Sequence, residues 1–415
     1  MKRPTFSFRE TAPCFFAIFV DILGFGLVYP VLTALFTTSA SSILPPNATQ
    51  ATALLYLSIG FLLYPLFMFF GSSFMGDLSD IFGRKRTLLI CMAGLVVGFG
   101  LMGVGVAGSS IAMLFAGRAL SGLMAASMPI ALAAISDLST HEDKAVHMSF
   151  VALVQSVGFV LGPFLGGVLS DSSLVPFFNF SIPFFATALM ALVAYFWIEF
   201  GFNETFIRNP EKHIDLKRFF HVFVEASRHP SIRLLSIIFL FMQMGIALYL
   251  QLILIYFREA FDYSSLEMGL FNAFVGLWFA LGLVCVVPFA TKRFSVERIA
   301  FICLGVTGVA LLFISFVNNQ IGLWALAVPL AIAVQVGFTT VLTSFSNAAD
   351  ANSQGWAMGI SGSLIAISFV VTGLSPNLVP ITGVKALICA GSLLMLIASV
   401  LMWRYSKRKP AARRR

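Results

Sequence analysis

Twelve separate runs of roughly twenty apolar residues follow one another along this chain. They lie near 12–36, 52–75, 87–108, 110–134, 147–170 and 178–200, then near 232–257, 267–290, 298–317, 321–345, 356–379 and 384–404. A helix of that length matches the hydrocarbon thickness of a bilayer, and a spanning segment must satisfy its backbone internally. The expected fold class is an all-α polytopic membrane protein with twelve transmembrane helices. Composition closes off the soluble alternative. Only 11% of the 415 residues are charged against 59% hydrophobic, whereas a soluble domain carries about 25% charged residues. Too little charge remains to cover a water-facing surface of this size. Soluble enzymes, nucleic-acid binders and disordered scaffolds are thereby excluded.

The basic residues set the direction of threading. With the N-terminus inside and loops alternating, the inner segments hold Lys2, Arg3 and Arg9, then Arg84, Lys85, Arg86 and Lys144. The central loop adds Arg208, Lys212, Lys217, Arg218, Arg228 and Arg233. Lys292, Arg293 and Arg298 follow, and seven more lie between Arg404 and Arg415. That is 23 of the 26 basic residues; the outer segments hold only Arg258 and Lys385, and Arg118 falls within a span. The asymmetry predicts both termini in the cytoplasm of an integral protein of a bacterial inner (plasma) membrane. The Arg-rich tail then reads as an anchor on the anionic inner leaflet and not as a nucleic-acid site. The short basic start, Met1–Arg9, runs straight into an apolar span and reads as no cleavable signal.

An internal repeat runs through the chain. Ser136-Asp137 with Met148 recurs 210 residues later as Ser346-Asn347 with Met358. Phe82 and Arg86 recur 212 residues on as Phe294 and Arg298. The shared offset, at equivalent points of two six-span halves, predicts a parallel repeat. The expected domains are a six-helix bundle over 1–200, a cytoplasmic linker over 201–231, and a second bundle over 232–415 with its basic tail. Within the linker, Ile214–Phe220 mixes bases and aromatics and reads as an amphipathic helix on the inner membrane surface.

Several chemistries are ruled against. Cys14, Cys91, Cys285, Cys303 and Cys389 lie far apart in apolar stretches with no Cys/His cluster, so neither a disulfide framework nor a metal site is expected. The five histidines fall in polar connecting segments, which argues against a histidine proton relay inside the membrane. Gly98-Phe-Gly100-Leu-Met-Gly103 and Gly103-Val-Gly105-Val-Ala-Gly108 spell G-x-G-x-x-G, yet they sit inside an apolar span with no preceding strand. No G-x-x-x-x-G-K-[S/T] occurs, which argues against an ATP-driven pump. With no nucleophile, base or metal constellation, no catalytic residue and no cofactor are expected, and the chain reads as no enzyme. Asn47-Ala48-Thr49 is a glycosylation sequon facing outside.

Between spans 2 and 3 runs Gly76-Asp77-Leu78-Ser79-Asp80-Ile81-Phe82-Gly83-Arg84-Lys85-Arg86. Gly83 permits a tight turn between helix ends, and Asp80 can pair with bases as a gate on the cytoplasmic side. The stretch resembles the G-x-L-[A/S]-D-R-x-G-R-[K/R] signature of the major facilitator superfamily. It departs at Ile81, where that family usually has Arg, so one arm of the usual charge network is absent. The resemblance implies the family's fold of two pseudo-symmetric six-helix bundles and names Gly76, Asp80, Gly83 and Arg84 as the gate.

Two further stretches extend the likeness. In span 1, Asp21-Ile-Leu-Gly24-Phe-Gly26-Leu-Val-Tyr29-Pro30-Val31-Leu32 is similar to the D-x-x-G-x-G-L-x-x-P-x-L stretch of the twelve-span drug/proton antiporters, tetracycline exporters included. In span 5, Gly158, Gly162, Pro163, Gly166 and Gly167 match the G-x-x-x-G-P-x-x-G-G pattern of the superfamily's proton-driven exporters. Small residues four apart let helix backbones approach closely, and proline bends the span. Plain helix packing would use the same residues.

Asp21 lies about nine residues into its span, roughly 13 Å deep at the helical rise. An ionised carboxylate there costs about 2.5–3.5 kcal/mol on insertion scales, so a carboxyl that takes and gives up a proton suits the site. Arg118 in span 4, in an R-x-x-x-G setting that resembles the superfamily's, is the other clear mid-span charge. The two could stabilise each other as a structural pair, or protonation of Asp21 could free Arg118 and shift the balance of conformations. Glu199, at the cytoplasmic end of span 6, ranks below both.

The second half has no acidic residue deep in a span, unlike the tetracycline exporters, which points away from tetracycline itself. Its buried polar groups, Gln243, Gln251, Asn272 and Gln335, with Tyr29 of span 1, are candidates to line a substrate cavity. The expected function is proton-coupled antiport that exports small amphipathic molecules by alternating access. A metabolite or siderophore carrier, working as a proton symporter inward, uses the same buried acid and stays open. A receptor that transports nothing is the remaining alternative. The expected partners are a small-molecule substrate, protons and membrane lipid, with no nucleic acid, in a monomer.

Overall fold

The structure, a computed structural model, describes residues 8–37, 43–45, 47–139, 144–205, 230–348 and 354–408. Twelve helices there are long and apolar enough to cross a membrane, and no strand occurs among the described residues. They are α1 (Phe8–Thr37), α2 (Gln50–Phe82), α3 (Arg84–Ala107), α4 (Ile111–Leu138), α5 (Lys144–Ser170) and α6 (Ile182–Gly201). The second six are α7 (Pro230–Phe261), α8 (Ser265–Thr291), α9 (Val296–Phe316), α10 (Gln320–Ala348), α11 (Gln354–Gly373) and α12 (Val384–Arg408). Large apolar side chains such as Phe200, Phe313 and Phe316 stand exposed along them, as a lipid-facing surface requires. Most of the expected linker, with its amphipathic segment, lies outside the described residues, as does the tail beyond Arg408.

The chain divides into two packed units. One comprises Met1–Thr49, Leu63–Leu216 and Ser264–Ala273; the other comprises Gln50–Leu62, Lys217–Tyr263 and Phe274–Arg415. The first turns of α2 thus count with the second unit, and those of α8 with the first. Within the first unit α1 packs along α5 and α6, and α3 along α4 and α6. Within the second, α7 packs along α11 and α12, and α9 along α10 and α12. The same four pairings recur six helices apart, which is the repeat that the sequence offsets predict.

Two helices are interrupted for reasons visible in the chain. In α4 the pieces Ile111–Met124 and Ser127–Leu138 are separated by a turn at Ala125 and Ala126. Pro129 has no N–H for the Ala125 carbonyl, and its ring crowds that carbonyl. The second piece therefore begins inside the span, with first-turn N–H groups that have no acceptor within the helix. In α8 a π-helical segment, Gly282–Val286, precedes Pro288, whose missing donor would have served Val284.

The structure also redraws one boundary. Span 2, read from hydropathy to end near 75, continues as helix to Phe82. The residues Gly76–Phe82 lie on its last two turns, and Gly83 alone separates α2 from α3. Gly83 has φ of 99°, a left-handed conformation that side chains disfavour.

Candidate functional site

Asp21 is 5% exposed in the middle of α1. Its Oδ2 accepts a hydrogen bond from Ser127 Oγ at 2.5 Å, and its Oδ1 accepts one from the Tyr64 hydroxyl at 3.2 Å. The backbone N–H of Met128 donates to the same carboxylate. Ser127 and Met128 open the second piece of α4. The carboxylate therefore sits at a helix N-terminus made by the Pro129 break, where free N–H groups and the helix dipole favour negative charge.

Arg118, on the first piece of α4, is 1% exposed, and its guanidinium carbon lies 4.9 Å above the Tyr64 ring. Tyr64 thus meets both charges, Asp21 by its hydroxyl and Arg118 by its ring face. The expected link between the two runs through this tyrosine. Tyr29 joins by an aromatic ladder: its ring is 5.4 Å from Phe25, whose ring is 5.5 Å from Tyr64. A proton placed on Asp21 removes the charge that orients Tyr64 and Ser127, and so changes what Arg118 faces. Tyr64→Phe deletes one donor to a charged acceptor, a bond worth about 1.5–3 kcal/mol. Transport, measured as initial solute flux, should fall about ten-fold or more in this variant, with Asp21 still present.

The glycines of span 5 hold α1 in place. A Cβ built on Gly158 would stand 3.0 Å from Ile22 Cγ2; on Gly162, 2.6 Å from the Leu23 carbonyl oxygen; on Gly166, 2.5 Å from that of Leu27. From the other side a Cβ on Gly26 would stand 3.0 Å from the Pro163 ring. The two stretches singled out in spans 1 and 5 are thus faces of one seam, and Ile22 and Leu23 adjoin Asp21. Gly167 does something different: its Cβ position is 2.6 Å from the Ser265 carbonyl oxygen and 3.1 Å from the Cα of Gly269, at the start of α8.

At the far end of α2, Arg84 gathers its neighbours. One nitrogen bonds Asp80 at 2.9 Å and Ser79 Oγ at 2.7 Å, while Nε reaches Asp137 at 3.5 Å. Glu204, just past α6, accepts from the backbone N–H groups of Arg84 at 2.9 Å and Lys85 at 3.2 Å, capping α3. Lys85 Nζ in return donates to the Glu199 carbonyl at 2.6 Å, at the end of α6. Glu204 at the start of α3 and the Lys85 ammonium at the end of α6 each supply the charge that the helix dipole favours there. The Cβ position of Gly83 is occupied by the Glu204 carboxylate, whereas that of Gly76 has nothing within 4 Å among the described residues. Losing a capping carboxylate costs about 0.5–2 kcal/mol of helix stability. In Glu204→Ala, trypsin should therefore cut the Arg84-Lys85-Arg86 run several-fold faster in detergent-solubilised protein, read by fragment appearance on gels.

The polar groups of the second half are more scattered. Gln243 is 7% exposed on α7, and Gln251, fully buried on the same helix, donates to Thr372 Oγ1 of α11 at 3.4 Å. Gln335 is half-buried on α10. Asn272 belongs to the first unit, where its Oδ1 has no hydrogen-bond partner among the described residues. No hydrogen bond among the described residues joins these four.

Sequence reasoning missed Tyr64, Ser127, Asp137 and Glu204. Pro129 within span 4 was the available signal for Ser127; Tyr64 was hidden by the abundance of aromatic residues around it. His147 overturns one expectation. It lies inside α5, is 1% exposed and shares a hydrogen bond with Ser139 Oγ through Nδ1. Among the described residues no His/Cys/Asp/Glu group could hold a metal ion.

The sequence profile of the Major Facilitator Superfamily matches residues 14–373. A tetracycline resistance protein, class C, from Escherichia coli is 27% identical over 365 residues, covering 87% of this chain and 86% of the relative. Multidrug resistance protein 2 of Bacillus subtilis is 24% identical over 317 residues, covering 73% and 71%. Among solved structures, the human organic anion transporter MFSD10 superposes with a TM-score of 0.70 at 20% identity, covering 95% of this chain and 99% of that one. A D-xylose-proton symporter gives 0.75 at 15% identity, covering 98% and 99%.

Proposed function

We propose that this chain, which belongs to the Major Facilitator Superfamily, is a proton-coupled antiporter that exports small amphipathic molecules by alternating access. The observation that carries the reading is the buried Asp21 carboxylate, held by Ser127, Tyr64 and the N-terminus of a broken helix, with Arg118 on the other face of Tyr64. A membrane-buried acid with neutral, rearrangeable donors can take a proton from one side and release it to the other. In this reading both termini are cytoplasmic, the membrane is a bacterial inner membrane, the protein works as a monomer, and it catalyses no covalent chemistry. The relatives described as tetracycline and multidrug resistance proteins support export. The chain has no acidic residue deep in a second-half span, which favours amphipathic solutes other than tetracycline.

The proton-motive force offers about 2.3 kcal/mol per charge for each 100 mV. The test uses everted membrane vesicles with an acidified lumen and a fluorescent pH probe. Cationic, neutral and zwitterionic amphipathic solutes, tetracycline among them, are added in turn. Antiport predicts that some of them release protons from the lumen in vesicles that carry the protein and not in empty ones. No release across the panel, with the protein folded and inserted, would contradict export and turn attention to inward carriage of metabolites or siderophores on the same acid.

A further inference from the structure

The repeat that relates the two halves is not a repeat of charge. At the offset that joins Phe82 to Phe294 and Arg86 to Arg298, Asp77 falls on Phe289 and Asp80 on Lys292. In the first half Arg84 meets Asp80 and Asp137, and Glu204 accepts from the Arg84 and Lys85 backbones, so the protein's own acids balance that turn. The connection between α8 and α9 has no such supply. From Val287 to Ala300 the sequence sets Lys292, Arg293 and Arg298 against Glu297 alone. None of these three bases is ion-paired to a carboxylate among the described residues.

Two of the bases rest on aromatic rings instead. The Arg293 guanidinium carbon lies 4.4 Å over the Phe289 ring, and that of Arg298 lies 5.2 Å over Phe294. Both rings are open to the surroundings, Phe289 57% and Phe294 44% exposed. A guanidinium that stacks by its face keeps its in-plane N–H donors for an anion. α12 brings a third pair to this end of the unit, with Lys407 Nζ 3.9 Å over the Trp403 ring. α9 and α12 run antiparallel, Ser399 Oγ donating to the Phe301 carbonyl at 2.9 Å and Ser392 Oγ to that of Gly308 at 2.7 Å. Arg298 lies about a turn before Phe301 and Trp403 about a turn beyond Ser399, so both stand at one level along the helix axes. Exposed rings beneath cationic groups suit the depth at which acyl chains meet headgroups.

We infer that the α8–α9 connection is a docking surface for an anionic phospholipid, whose phosphate takes the N–H donors of Lys292, Arg293 and Arg298 while its acyl chains lie along Phe289 and Phe294. The lipid supplies the negative charge that Asp80, Asp137 and Glu204 supply to the corresponding turn of the first half. Charge complementarity selects this partner, because a zwitterionic lipid would bring an ammonium group among the bases together with its phosphate. The surface rests on the chain's crossing a membrane and not on the solute, the direction of transport or proton coupling.

The test titrates the purified protein, in neutral detergent, with phosphatidylglycerol or phosphatidylethanolamine and counts bound lipid by native mass spectrometry. Phosphatidylglycerol should bind at least about ten-fold more tightly, since each of three bases adds to the attraction. Changing Lys292, Arg293 and Arg298 together to Gln should bring the two lipids within about two-fold of each other. Arg293→Lys with Arg298→Lys, which keeps the charge, should retain most of the preference. Changing Arg413, Arg414 and Arg415 to Gln should leave it intact, which separates the surface from the basic tail. Equal binding of the two lipids by the wild-type protein, or an undiminished preference in the triple Gln variant, overturns the proposal. Should that variant fail to insert, Arg298→Gln alone carries the test, and an unchanged preference in it overturns the surface. Displacement of the lipid by glycerol phosphate at equal concentration would make this a site for free anions and overturn the lipid. The count needs neither solute nor proton gradient. Its failure leaves proton antiport standing, and a failed vesicle assay leaves the surface standing.

Discussion

Under the proposed antiport, Asp21→Asn should abolish proton-driven accumulation of solute while leaving solute-for-solute exchange in place. The asparagine keeps the size of the side chain and a carbonyl oxygen for Tyr64, and Ser127 can turn to accept from the new amide. What it cannot do is carry a proton. One proton driven by 100 mV is worth about 2.3 kcal/mol, about a fifty-fold solute gradient. In proteoliposomes with an imposed proton gradient, wild-type protein should approach accumulation of that order and Asp21→Asn should show none. Both should exchange labelled for unlabelled solute at similar rates. An Asp21→Asn variant that still accumulates solute would mean that the proton travels elsewhere.

Gly162→Val is the second large effect. Its Cβ would meet the Leu23 carbonyl oxygen at 2.6 Å, and backbone cannot swing aside as a side chain can. The added bulk must push α1 from α5 beside Ile22 and Leu23, and Asp21 moves with them. Overpacking of this kind costs about 1–3 kcal/mol, and a conformational balance shifted by that much changes about 5- to 150-fold. Solute flux in membranes that hold equal amounts of inserted protein should fall within that range. Gly158→Ala serves as the contrast. There the nearest atom, at 3.0 Å, belongs to the Ile22 side chain, so the contact can relax and most of the flux should survive. Equal losses in both variants would mean that the seam is not what positions α1.

The two predictions turn on features that the sequence made visible to different degrees. Hydropathy alone located twelve spans, because a helix with lipid on its outer side must be apolar for its whole length. The paired offsets of Ser136 and Phe82 told of the repeat, which the recurring helix pairings bear out. Hydropathy is blind to continuity, however. It ran span 4 through Ala125 and Ala126 as one helix, although Pro129 required the break that gives Asp21 its helix N-terminus. It also ended span 2 where the apolar residues stop, while the helix itself runs on to Phe82 and ends only at the positive φ of Gly83.

Partners far apart in sequence were beyond reach for a different reason. Glu204 caps a helix that begins 120 residues earlier, and Tyr64 is one aromatic residue among many in its helix. No local pattern distinguishes either. Asp21, Arg118 and the glycines of span 5 could be singled out because charge in an apolar span, or small residues at four-residue spacing, is unusual enough to need a reason.

Antiport requires that binding of solute and of a proton at Asp21 oppose each other. The most direct measurement adds solute to detergent-solubilised protein in weakly buffered solution and follows the proton balance with a pH indicator. Asp21 as the proton carrier predicts about one proton released per solute bound, and none from Asp21→Asn that still binds solute, by the reciprocity of linked binding. Binding with no proton release from the wild-type protein, or the same release from Asp21→Asn, would contradict it.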